Sequence, residues 1–227
     1  MLLFYTGSMS VFLRKPNSFQ YIFGRFLTYA RLKRLFDLTI AAFALIILLP
    51  VLVCIYIWVI LDSRGGGIYK QVRIGRYKQA FHLYKFRTMR TGSDKKQLIT
   101  VGDRDPRVTR AGFFLRKYKL DELPQLFNVL IGDMSMVGPR PEVGKYVALY
   151  NEEQQKILSI KPGITDYASI AFINESELLV KSNDPEKTYI NEILPEKVKL
   201  NLLYLNQMSL STDLKIIGQT IIKIFLK

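Results

Sequence analysis

Apolar and polar positions fall into three patterns along this chain. From Leu38 to Leu61 run 24 residues without a charge, LTIAAFALIILLPVLVCIYIWVIL. Such a run can cross a hydrocarbon core of about 30 Å as one helix. Pro50 stands near its middle, where a proline removes a backbone donor and kinks the helix. Basic residues flank both ends, with Arg31, Lys33 and Arg34 before it and Arg64, Lys70 and Arg73 after. A spanning helix usually carries its positive charge on one side. The near symmetry favours a helix that enters the membrane, breaks at Pro50 and returns to the same face. A kinked single span is the competing reading.

Strict alternation follows over Ile68–Ile74 and Phe81–Phe86, with Gly-Arg-Tyr-Lys-Gln between them, and predicts a short β-hairpin. Gly65-Gly66-Gly67 before it lacks the spacing of a nucleotide fingerprint and reads as a linker. Helical spacing then takes over at Leu115–Tyr118, Leu123–Ile131, Glu142–Ile160 and Pro185–Gln207. The final stretch, Asp213–Lys227, places Ile216, Ile217, Thr220, Ile221, Ile224 and Phe225 on one stripe and Lys215, Lys223 and Lys227 off it. That is an amphipathic helix with a basic polar face, suited either to a membrane interface or to packing on its own core. The predicted fold is α+β, mainly helical with a small β-hairpin, held on the membrane by the re-entrant helix and amphipathic helices. Residues 1–30 form a lead-in without a signal-peptide cleavage pattern, 31–61 the membrane hairpin, and 62–227 a polar domain.

Composition sharpens this picture. Lys and Arg number 33 against 19 Asp and Glu, a formal charge of +14, in a chain that is 49% hydrophobic. Basic and greasy together point to an anionic membrane surface rather than nucleic acid. One cysteine, Cys54 inside the apolar run, and one histidine, His82, exclude a disulfide framework and make zinc a poor fit. Any metal should be a hard cation on carboxylates and phosphate oxygens.

The densest chemical signal is RKYKLDELPQ, Arg116–Gln125. Pro124 is tolerated only in a first helical turn, so Asp121 reads as an N-cap with Glu122 at the first helical position. Capping alone would explain Asp121. Yet a helix N-terminus beside Arg116, Lys117 and Lys119 would also keep it ionised and draw phosphate groups to it. A magnesium ion on Glu122 would neutralise that phosphate, and a carboxylate attacking phosphorus to give an acyl phosphate is an established route of covalent catalysis. In Gly138-Pro139-Arg140-Pro141 two prolines fix the backbone around one guanidinium, which suits bidentate phosphate contact, or else simply make a rigid turn. In Tyr84-Lys85-Phe86-Arg87-Thr88-Met89, strand alternation puts Lys85 and Arg87 on one face, a weak signal by itself.

At these residues the chain resembles the bacterial sugar transferase family, the monotopic phosphoglycosyl transferases. The matching text is KRLFDLTIA, QVRIGR, KFRTM, DPRVTRAGFFLRK, LDELPQLFNVLIGDMSMVGPRP and KPGIT, in that order from Lys33 to Thr165. The resemblance implies a membrane helix broken at Pro50 and a catalytic dyad, Asp121 and Glu122. Asp121 would attack the β-phosphate of a UDP-sugar and release UMP. Undecaprenyl phosphate would then take the phosphosugar, which starts capsule, O-antigen, exopolysaccharide or glycoprotein assembly. The resemblance places Mg2+ on Glu122 and Asp121, and phosphate contacts on Lys85, Arg116 and Arg140, with Arg87 beside them. It implies the cytoplasmic face of the bacterial inner membrane and, with about 30 residues before the core, a minimal form of the family. Monomer and homodimer both stay open. Transfer of the sugar alone with release of UDP, or a non-enzymatic adaptor for anionic lipid, are the rival functions. One departure stands out: many relatives follow Pro-Gly-Ile-Thr with Gly-Leu-Ala-Gln, whereas this chain has Asp166-Tyr167-Ala168-Ser169.

Overall fold

The computed structural model describes residues 18–93, 102 and 105–225, with backbone only for 18–28. Residues 1–17, most of the lead-in, and Lys227 of the last stripe lie outside the described residues. The apolar run belongs to α1, Ser18–Asp62, a helix of 45 residues with Pro50 inside it. Pro50 does not divide α1 into two elements, so any return toward the same face is a bend within one helix. Ala41, Leu45, Leu52, Ile55 and Val59 are buried along one stripe of α1. That stripe packs on Leu83, Phe86, Leu115, Leu126 and Val129 of the polar domain. The opposite side leaves Ile46 74% and Leu61 79% exposed. An apolar face of this size calls for apolar surroundings. The segment Tyr29–Asp62 is long and apolar enough to cross a membrane.

Polar fastenings hold α1 on both sides of its apolar run. Lys33 Nζ meets Asp213 Oδ2 at 2.7 Å, and Asp37 accepts the Met136 N–H at 3.1 Å. Arg34 donates to the Val129 and Leu130 carbonyls at 2.6 and 3.0 Å, covering orphan carbonyls near a helix end. At the far end Asp62 accepts the Ala111 N–H at 3.0 Å.

The hairpin forms as predicted. Strands β1 (Ile68–Ile74) and β2 (Ala80–Phe86) pair antiparallel, with Ile68 opposite Phe86 and Tyr69 opposite Lys85. The free edge of β2 is closed by one side chain: Asn128 Oδ1 accepts from Tyr84 N at 3.0 Å and its Nδ2 donates to His82 O at 2.7 Å. His82 itself is exposed. Helix α2 (Arg110–Lys117) starts at a Thr109 cap that accepts the Gly112 N–H, and α3 spans Gln125–Ile131. A parallel pair, β3 (Ser135–Val137) with β4 (Gly163–Thr165), has no counterpart in the sequence reading, because three residues carry no period. The pair depends on two glycines in contact: a Cβ on Gly163 would lie 2.1 Å from Gly138 N, and one on Gly138 would lie 2.5 Å from Lys161 O.

The predicted helix Glu142–Ile160 is a short α4 (Gly144–Val147) followed by a 3-10 segment, Gln154–Ser159. Asn151 and Gln154 exchange side-chain-to-backbone hydrogen bonds, each 2.9 Å, a reciprocal cap that restarts the chain after Tyr150. Helices α5 (Tyr167–Ala171) and α6 (Glu175–Val180) follow. The predicted Pro185–Gln207 helix is α7 (Pro185–Thr188), a π-turn Tyr189–Ile193 and α8 (Leu194–Asn206). The last helix, α9 (Leu210–Phe225), packs on the domain's own core along one face only. Asp213 and Ile216 are buried in the domain, whereas Leu214, Ile222 and Phe225 are exposed.

Candidate active site

The chain between α2 and α3 builds the site. Lys119 adopts a left-handed conformation (φ 57°), which costs a non-glycine residue about 1–2 kcal/mol. This turn ends α2 and starts the 3-10 segment Leu120–Glu122, with α3 beginning only at Gln125. Asp121 is therefore not the N-cap of α3, as the Pro124 signal predicted. Pro124 itself occupies that position, with no side-chain cap. The two carboxylates sit in a tight turn one step earlier, and no helix dipole holds Asp121.

Their surroundings differ. Glu122 Oε2 accepts from Arg140 Nη1 at 3.2 Å, and Oε1 accepts from Arg140 Nη2 and from Lys85 Nζ at 3.4 Å. Asp121, 8% exposed, has no hydrogen-bond partner among the described residues and faces a cavity of about 960 Å³. Burial pushes the Asp121 carboxyl above its ordinary range and the Glu122 charge adds to this; Lys85, Arg116 and Lys119 oppose it. Burial also penalises the Glu122 charge, but Arg140 and Lys85 outweigh it and hold that carboxyl well below its ordinary range. Lys85 is itself lowered by burial, against the pull of Glu122. The Arg140 guanidinium is raised, chiefly by Glu122. Glu122 thus carries the firmer charge, and Asp121 is the more basic of the two carboxylates.

Of the remaining candidates, Lys85 and Arg140 meet at Glu122. Arg116, in the last turn of α2, lines the same cavity, and its side chain makes no hydrogen bond or ion pair among the described residues. Arg87 does not join Lys85. It lies past the end of β2, and its guanidinium donates to the carbonyls of Val59 (3.2 Å), Ser63 (2.6 Å) and Arg64. This corrects its expected place at the phosphate: buried hydrogen bonding to the end of α1 spends both Nη groups. A metal ion at this site would have two protein carboxylates, Asp121 and Glu122. No group of three or more His, Cys, Asp or Glu could hold an ion among the described residues.

Two supporting groups escaped sequence reasoning. Asp166, fully buried, accepts the Arg140 backbone N–H at 3.1 Å and the Ser169 N–H at 2.6 Å. The residue that departs from Gly-Leu-Ala-Gln thus fixes the Pro-Arg-Pro turn and caps α5. A second cluster lines the cavity beyond Arg140. Glu142 accepts from Tyr189 Oη at 2.7 Å and from Arg73 at 3.4 Å, and Lys197 sits 3.8 Å from Glu142 while pairing with Glu175. Its only signal in the sequence was the matching text QVRIGR and the Glu after Pro141. The π-turn, often found at functional sites, is what carries Tyr189 into this cluster.

A family model for bacterial sugar transferases matches residues 28–227. The chain is 36% identical over 202 residues to the UDP-glucose:undecaprenyl-phosphate glucose-1-phosphate transferase of Escherichia coli (strain K12), covering 86% of this chain and 40% of that protein. It is 43% identical over 125 residues to a putative undecaprenyl-phosphate N-acetylgalactosaminyl 1-phosphate transferase of Bacillus subtilis (strain 168), covering 55% and 70%. An uncharacterized sugar transferase of B. subtilis, EpsL, is 39% identical over 194 residues, covering 85% and 87%. With the family model matched from Thr28 to the last residue, this chain belongs to the bacterial sugar transferase family.

Proposed function

We propose that this protein transfers a sugar 1-phosphate from a UDP-sugar to undecaprenyl phosphate, with release of UMP, through a phosphosugar carried on Asp121. The observation that carries the reading is the contrast in the dyad. Glu122 is clamped by Arg140 and Lys85, while Asp121 faces the cavity with its lone pairs free. An Asp121 oxygen attacks the sugar-bearing phosphorus, and the P–O bond to UMP breaks with its electron pair leaving on UMP. An oxygen of the lipid phosphate then attacks the same phosphorus, and the bond to Asp121 breaks, restoring the carboxylate. Arg140, Lys85 and Arg116 offset the charge gathered around the pyrophosphate. Two carboxylates completed by phosphate oxygens and water are the usual holders of Mg2+, so Asp121 and Glu122 fit that ion, which would supply further charge neutralisation.

The same reading places the protein on the cytoplasmic face of the bacterial inner membrane, with α1 re-entrant and bent at Pro50. Support comes from α1 itself. Both flanks of its apolar run are fastened to one polar domain, and the inner stripe packs on that domain from Ala41 to Val59. Exposed Trp58, Phe114 and Tyr118, in ring contact across α1 and α2, suit the headgroup layer. The names of the relatives point to undecaprenyl phosphate as acceptor. The test is nucleotide release from a panel of UDP-sugars with undecaprenyl phosphate. UMP should appear, and Asp121→Asn should abolish both it and donor-derived labelling of the protein, a loss of several orders of magnitude for a nucleophile. Release of UDP, or near wild-type release from Asp121→Asn, would overturn the proposal.

A further inference from the structure

The cavity that holds Asp121 does not end at polar groups. It continues between α1 and α9, where Ile40, Ala44 and Leu48 line one side and Ile217, Ile221 and Ile224 the other. On α1 these residues follow each other four apart, and on α9 four and three apart, so each set forms one stripe. The α1 stripe runs beside the buried one, and its three residues are only half-buried. On α9 the stripe lies between the core face (Asp213, Ile216) and the outward face (Leu214, Phe225). The helices are pinned together at their near ends by Lys33 and Asp213. Beyond the pin Met136 forms the floor, packed against both the α1 cluster and the α9 cluster. A hydrogen bond of 2.6 Å between Thr220 and Thr165 of β4 fixes how far α9 stands off. The α1 stripe spans about 12 Å from Ile40 to Leu48 at 1.5 Å per residue.

We infer that this groove binds the hydrocarbon chain of the acceptor, with α9 as its second wall and α1 as its first; the inference rests on the function proposed above. The chemistry is read from one continuous surface. At the polar end Lys85, Arg140 and Arg116 line the cavity with the dyad, and farther along the α1 and α9 walls are mainly aliphatic, with the Thr165 and Thr220 hydroxyls bonded to each other. A ligand with that polarity profile carries a phosphate on a branched apolar chain. A soluble donor has no use for the aliphatic part. A two-tailed phospholipid meets the same groove without a phosphate monoester for the dyad. Ala44 is the smallest side chain in the α1 stripe, so enlarging it takes volume from the groove directly.

The test fills the groove and reads the two substrates separately. Ala44→Phe and Ile221→Trp should raise the KM for a long-chain polyprenyl phosphate about tenfold, with the KM for the UDP-sugar unchanged. Ile222→Phe, on the outward face and 58% exposed, should leave both constants as in the native protein. Independently of turnover, a photoreactive benzoylphenylalanine at position 221 should crosslink to polyprenyl phosphate in lipid nanodiscs. Excess polyprenyl phosphate should compete, and phosphatidylglycerol should not. Unchanged acceptor KM in both groove variants, equal rises in both KM values, or competition by phosphatidylglycerol would each overturn the inference. Failure of the function proposed above would look different: native protein would release no UMP, whatever the crosslink shows.

Discussion

Replacing Arg140 with lysine separates charge from geometry at the dyad. The native guanidinium makes two parallel contacts to Glu122, and its side chain is 29% exposed against 13% for Glu122. A lysine keeps the positive charge but cannot form the two-pronged pair. One hydrogen bond to a charged partner is worth roughly 1.5–3 kcal/mol, and partial exposure of the arginine argues for the lower end. Near that lower end the expected loss is about tenfold in kcat/KM for the donor. The backbone N–H of residue 140 keeps its bond to Asp166 in either case, so the rigid turn survives and only the guanidinium is tested. The assay is UMP release at limiting donor, with thermal unfolding as the control for folding. Glu122→Gln combined with Arg140→Lys should lose less than the sum of the two, since both act on one contact. A lysine variant within twofold of the native kcat/KM would refute this and leave Arg140 as part of a turn and nothing more.

Four further outcomes follow from the same geometry. Asp121 acts ionised and its carboxyl lies above its ordinary value, so UMP release should fall as pH drops through that raised range; Lys85 opposes the rise, so Lys85→Met should move the acid limb of kcat/KM to higher pH, and an unmoved limb would refute the coupling. The raised carboxyl also favours folding only while protonated, its contribution being lost as pH rises through its folded value, so Asp121→Asn should raise the unfolding midpoint at neutral pH. Asp166→Ala removes acceptors for Arg140 N and Ser169 N and should cost about 1–3 kcal/mol of stability together with donor affinity, measured by thermal unfolding and donor KM. In a Cys54→Ser background, single cysteines at Ala30 and Gly66 should both be labelled from the cytoplasmic side of intact cells, whereas labelling at opposite sides would show a spanning α1.

The apolar run, the hairpin and the adjacent carboxylates among cations were legible because each has a local signature: 24 uncharged residues, period-two alternation, and Asp121-Glu122 beside Arg116, Lys117 and Lys119. What stayed hidden depends on contacts between distant segments. The pairing of β3 with β4 rests on Gly138 meeting Gly163, and nothing local to either residue announces the other. Asn128 as the edge of β2 and Asp166 as the clamp of Arg140 are likewise polar side chains whose partners are backbone groups 44 and 26 residues away. The inference that failed, Asp121 as a helix cap, failed for a local reason. Proline marks a first turn, but a left-handed Lys119 moved the dyad into a separate 3-10 turn before it.

That displacement has a mechanical meaning. Two anchors tie the dyad to α1. Asp62 at the end of α1 accepts the Ala111 N–H in the first turn of α2, and α2 runs directly through Arg116 into Lys119 and Asp121. Arg87, one residue past β2, grips the carbonyls of Val59, Ser63 and Arg64, so the strand bearing Lys85 is fastened to the same helix end. Asp121 and Lys85 therefore share one reference point, the C-terminal end of α1. Under the function proposed above, the same helix end would set the depth at which Asp121 meets a lipid-borne phosphate. Arg87 makes that fastening from two nitrogens, Nη1 to the Arg64 carbonyl and Nη2 to those of Val59 and Ser63. A lysine in its place would bring the same charge on one nitrogen, without the planar fork that meets these carbonyls from two positions, so it should hold Lys85 and the end of α1 together less firmly.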